Sequence, residues 1–201
     1  MVGILTLVSG CTLLQNLQTS GPLDTEQFKQ TILVTDDPSS QIATFSTVLA
    51  SQRWQGSQRS VGDDNFLVGV IDKKTGRRSY QVHNVIYYSG AGNQVAWQLF
   101  YQANYESPTG TQLIPLSLVK KEENCSALEV YGKCIYQEHL LFPVAEEFLR
   151  KFVASNSNTG VWWYYLIPQK GKVYSDKFLI AEIAGLLERM EEYEIKRPFK
   201  K

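Results

Sequence analysis

The residues in this 201-residue sequence whose types could do chemistry are two histidines, three cysteines, a short run of carboxylates and amides, and many aromatic rings. His83 and His139 are the only imidazoles, and imidazole is the usual general base near neutral pH. Each sits inside a β-rich run with no nucleophile motif beside it. The chain carries no G-x-S-x-G, no H-E-x-x-H and no Walker-type loop, so no residue is assigned as catalytic. Cys125, Cys134 and His139 offer thiol and imidazole ligands, but at an irregular spacing that fits no zinc pattern. Asp63, Asp64, Asn65 and Asp72 carry oxygens suited to Ca²⁺, yet their spacing is not that of an EF-hand. Asp63 to Asn65 reads more simply as a solvated turn ahead of a hairpin. Neither a metal nor a cofactor is expected.

The aromatic residues Tyr87, Tyr88, Trp97, Tyr101, Tyr105, Trp162, Trp163, Tyr164 and Tyr165 could line a groove that stacks on sugars or a peptide. They could equally be a bulky sheet core. Alternation from Val95 to Tyr105 places Trp97, Tyr101 and Tyr105 on one face, the face expected to be packed. Trp162 and Trp163 are adjacent on one strand and point to opposite sides, so one of them lies off the main core. With His83 and His139, this pair makes the candidate binding surface.

The elements that must position these residues are mostly strands. Thr31–Thr35 is a strand closed by the turn residues Asp36 to Ser40, and Ile42–Leu49 is a strand or short helix. Phe66–Ile71 and Ser79–Tyr88 flank a loop in which Gly76 supplies a positive φ, forming a β-hairpin. Further strands are read at Val95–Tyr105, Thr111–Lys120, Ile135–Phe142 and Val161–Ile167, with Pro115 marking an edge or a bulge. Val144–Ala154 reads as a helix with Glu146 and Glu147 placed four residues before Arg150 and Lys151. A last helix, capped by Ser175 or Asp176, runs to about Tyr193 and buries Ile180, Ile183, Leu187 and Met190. The expected class is α+β: an antiparallel meander of about six to seven strands with two C-terminal helices packed on it.

Composition sets the outer limits. Hydrophobic residues at 43% and charged residues at 20% suit a folded body, and the length suits one domain. Lys plus Arg and Asp plus Glu number 20 each, so no overall field favours nucleic acid, and none is expected as a partner.

Residues 1–10 are uncharged and apolar, much shorter than the roughly 20 residues that span a bilayer, and end in small residues before Cys11. Val8-Ser9-Gly10-Cys11 resembles the lipobox of bacterial lipoproteins, in which an aliphatic and two small residues precede the cysteine that becomes lipidated. The resemblance implies that residues 1–10 are a signal peptide and that Cys11 becomes the acylated N-terminus of the mature chain. The lack of Lys or Arg before the apolar run is what truncation at the N-terminus would leave. Thr12, in place of Asp, implies passage to the periplasmic face of the outer membrane of a Gram-negative cell. Export would put Cys125 and Cys134 in an oxidising compartment, where a disulfide between them is expected. Residues 11–27 then read as a flexible tether, 28–195 as a single α+β domain and 196–201 as a basic, solubilising tail.

Beyond the lipobox the body resembles small envelope lipoproteins only in general type. The reading that follows is a non-catalytic envelope protein, anchored by lipid, that binds a protein or glycan partner. A hydrolase of envelope polymers and an inhibitor or immunity-type lipoprotein are the alternatives. An enzyme would join its imidazoles to a concave site, a binder would expose an aromatic patch, and an inhibitor would present the loop between Cys125 and Cys134.

Overall fold

The computed structural model describes residues 23–48, 64–91, 97–125, 133–156 and 160–197. The expected signal peptide (residues 1–10), Cys11 and most of the expected tether lie outside these residues, as does the loop 126–132. The described chain begins with helix α1 (Thr25–Thr31), started by a capping box: the Asp24 carboxylate accepts from the Gln27 amide, and the Gln27 side chain accepts from the Asp24 amide. The expected tether therefore ends before Thr25, and the expected strand from Thr31 begins only at Leu33.

The architecture is α+β, with two antiparallel sheets and two C-terminal helices packed on them. The larger sheet has six strands: β1 (Leu33–Thr35), β2 (Ile42–Ser46), β3 (Asp64–Asp72), β4 (Arg78–Ala91), β7 (Ser117–Asn124) and β8 (Lys133–Val144), in the order β1-β2-β3-β4-β8-β7. The smaller has four: β5 (Phe100–Ser107), β6 (Gly110–Pro115), β9 (Val161–Pro168) and β10 (Tyr174–Leu179), in the order β10-β9-β5-β6. The expected α+β class holds, and the described residues form ten strands where about six to seven were expected. The strand read as Thr111–Lys120 is two strands in different sheets: it breaks at Pro115, which has no amide to donate, and only Leu116 separates β6 from β7.

The inner faces of the sheets meet in one core. Tyr80, Val82 and Ile86 of β4 and Leu140, Phe142 and Val144 of β8 pack with Ala103 and Tyr105 of β5 and Trp162, Tyr164 and Leu166 of β9. The Tyr164 hydroxyl bridges the sheets, donating to Asn84 Oδ1 at 2.6 Å and accepting from Asn65 Nδ2 at 3.1 Å. Asn65, expected in a turn, is a strand residue making this bridge, while the Asp64 and Asp72 carboxylates lie at opposite ends of β3, which removes any shared cation site.

Helix α2 (Glu146–Ser155) forms both expected pairs, Glu146–Arg150 at 2.7 Å and Glu147–Lys151 at 2.8 Å. Helix α3 (Ile180–Lys196) buries the expected stripe of Ile180, Ile183, Leu187 and Met190. Ser175 and Asp176 do not cap it. They belong to β10, where Tyr174, Asp176 and Phe178 turn inward in alternation, and Leu179 stands at the N-cap without a side-chain bond. Met190 lies over Gly69 so closely that a Cβ there would come within 2.2 Å of its sulfur. At the start of the expected basic tail, Lys196 closes α3, and Arg197 pairs with Asp36 while lying over the Tyr193 ring; residues 198–201 lie outside the described residues. Among the described residues no helix is long and apolar enough to cross a membrane.

Candidate functional site

Strand β9 is apolar on both sides, and the two sides have different fates. Its inward residues Trp162, Tyr164 and Leu166 are fully enclosed between the sheets. Its outward residues Trp163 and Tyr165 remain 46% and 45% exposed. Trp162 is therefore corrected from the candidate surface to the core: at 1% exposure it stacks against Phe178 and meets the edges of Tyr105 and Phe148. Trp163 alone of the pair faces solvent.

Register shows what lies beside it. On one side Lys177 of β10 opposes Trp163 and holds its ammonium 5.0 Å from the ring centroid, a cation–π contact. On the other side Asn104 of β5 opposes Tyr165, Gln102 opposes Ile167, and Leu113 of β6 opposes Asn104. The result is an outer sheet face bearing two aromatic rings, two side-chain amides and the exposed Leu113.

Tyr101 joins the exposed set against expectation. The alternation that assigned it to the core is interrupted by a β-bulge between Phe100 and Gln102, after Leu99 adopts φ 55°. Phe100, Ala103 and Tyr105 take the inward positions and Tyr101 is 48% exposed. Tyr105 is in the core as expected, whereas Trp97 precedes β5 and packs edge-on against Tyr88 and Tyr136.

The bulge rests on a residue that composition and motif reading missed. Glu138, with no exposed surface, accepts from the Tyr88 hydroxyl at 2.6 Å, the Leu99 amide at 3.0 Å and the Phe100 amide at 3.4 Å. A leucine at positive φ costs about 1–3 kcal/mol, and these bonds hold it there. The signal was available by parity: in β8 the inward series Cys134, Tyr136, Glu138, Leu140, Phe142 has one charged member. In front of this network lies a cavity of about 510 Å³, lined by Ile86, Tyr87, Tyr88, Gln98, Phe100 and the 171–174 segment.

The two histidines come together without forming such a site. His83 opposes Leu141 and His139 opposes Val85, so both are on the outer face of the six-stranded sheet, offset by two residues along adjacent strands. His83 packs on Phe66, and burial pushes its imidazole pKa down. His139 Nε2 is 3.7 Å from Glu122. Neither lines the cavity in front of Glu138 or the smaller one beside Tyr105 and Phe148.

Cys125 and Cys134 are joined in a disulfide with their α-carbons 4.3 Å apart, closing the β7–β8 hairpin. Their thiolates are thus not free as metal ligands. His139 could not have completed that set, because it stands at an odd offset from Cys134 and points to the opposite face of β8.

The chain matches no protein-family model, no curated protein sequence and no solved structure, so what it does has to be read from these residues.

Proposed function

We propose that this is a non-catalytic, lipid-anchored protein of the bacterial cell envelope that binds a glycan through the outer face of its four-stranded sheet. The observation that carries the reading is the exposed pair Trp163 and Tyr165 set beside Asn104 and Gln102. Aromatic rings cover the apolar C–H faces of a sugar, and side-chain amides both donate to and accept from its hydroxyls. A protein partner is the alternative occupant, and a face with few charges and with amides beside its rings favours the glycan. The anchor rests on the Val8–Cys11 lipobox, with attachment at Cys11 on the periplasmic face of the outer membrane, and the Cys125–Cys134 disulfide agrees with an oxidising compartment.

The binding half is tested by co-sedimentation of the full chain with insoluble cell-wall glycan and by titration with soluble oligosaccharides. Replacing both Trp163 and Tyr165 by Ala should weaken binding at least tenfold, about 1.4 kcal/mol or more, with the thermal transition nearly unchanged. Equal binding by this double variant, or none by the parent chain, would overturn the reading. For the anchor, the mass of the N-terminal peptide from isolated membranes should show acylated Cys11. A soluble product that keeps residues 1–10 would contradict it.

A further inference from the structure

The cavity in front of Glu138 is separate from the exposed sheet face, and three features mark it as a built site. Its volume, about 510 Å³, falls within the range of small-molecule pockets. Its walls are ring-rich: Tyr87, Tyr88 and Ile86 come from β4, with Phe100 from β5 and Tyr174 from β10. These walls are fixed in advance. Tyr88 is tied through its hydroxyl to Glu138 and to the Gln98 amide, Phe100 N is held by the same carboxylate, and Tyr174 donates to Asp176.

The lip is of opposite character to the walls. The turn Gln169-Lys170-Gly171-Lys172 joins β9 to β10, with Gly171 at φ 99°, and the amides of Gln169 and Lys170 bond to the carbonyl of Gln98. Lys172 lines the cavity and Lys170 precedes it in the same turn; both are exposed, and among the described residues neither has an ion-pair partner. Because the Tyr88 and Tyr174 hydroxyls are engaged, Lys172, the Gln98 side-chain amide and the Tyr87 hydroxyl are the polar side-chain groups left to meet a ligand. A largely apolar, aromatic cavity with one lysine in its lining complements a ring-bearing anion in both shape and charge.

We propose that this cavity binds a small aromatic acid, its ring enclosed by Tyr87, Tyr88, Phe100 and Tyr174 and its carboxylate beside Lys172. The site does not depend on the glycan reading, since no residue of the exposed face lines it. Calorimetric titration of the full chain with 2-naphthoate tests it, with neutral 2-naphthylmethanol as the comparison ligand. Naphthoate should saturate one site and bind at least fivefold more tightly than the alcohol. Val173→Trp, which fills the mouth, and Lys172→Glu, which reverses its charge, should each weaken naphthoate at least fivefold, whereas Lys172→Arg and Trp163→Ala should leave it within twofold. Val173 and Lys172 are exposed, so these variants keep the core intact. Absence of saturable binding, equal affinity for the neutral alcohol, or unchanged affinity in Val173→Trp would each overturn the proposal.

Discussion

Two glutamates are buried among the described residues, and the fold accommodates them in opposite ways. Glu138 is enclosed between the two sheets with donors on both oxygens: a phenol and two backbone amides. Glu182, in the first turn of α3, is enclosed beside Thr47 with Oε1 unpartnered, and burial pushes its pKa up to about 8. The first region engages both side-chain oxygens with directed donors. The second favours a carboxylic acid, which needs less solvation. The contrast teaches that a buried acid in a sequence signals either a supported turn or a proton store, and that only its neighbours decide which.

The sharpest way to break this comparison is Glu138→Ala. It leaves three donors without an acceptor and the Leu99 turn without support, and should cost about 3–5 kcal/mol in urea denaturation. A loss below 1 kcal/mol would mean that Glu138 does not hold the bulge. Next in size is Glu182→Gln, read as a pH profile. A carboxyl whose folded pKa exceeds its unfolded value contributes stability that is present below about 4.5 and lost as pH rises through about 8. The difference between parent and variant should therefore grow by on the order of 3 kcal/mol between pH 4.5 and 7, at about 1.4 kcal/mol per pH unit, with the variant favoured at the higher pH. Parallel profiles would show that Glu182 is ionised in the folded state. The smallest effect is expected from Tyr88→Phe, which removes one of the donors to Glu138 and should cost about 1.5–3 kcal/mol by the same denaturation measurement.

Much of the larger architecture was legible in local pattern. The hairpin of β3 and β4, the helix pairs Glu146–Arg150 and Glu147–Lys151, and the opposite pointing of Trp162 and Trp163 follow from periods of two and four that any short window displays. Which tryptophan is enclosed was not legible, because it depends on the side of β9 that the six-stranded sheet covers, and the bonds that set it join residues as distant as Asn65 and Tyr164. Tyr101 was misplaced because a bulge adds one residue to a strand without leaving a gap in its apolar pattern. Ser175 and Asp176 suited a helix cap equally well by composition, and alternation around Phe178 won. Helix α1 was hidden in a polar stretch, although Asp24 and Gln27 carried the spacing of a capping box.

Leu116 is all that joins β6 to β7, with its amide bonded to the Tyr101 carbonyl. Since β6 is the edge of the sheet that bears Trp163, and β7 the edge of the other, the connection is also a mechanical coupling. A displacement of β6 would therefore pass to β7 through the backbone of one residue and be shared among the rungs of the β7–β8 ladder. The far end of that ladder is riveted by the Cys125–Cys134 bond, so the load path ends at a covalent stop.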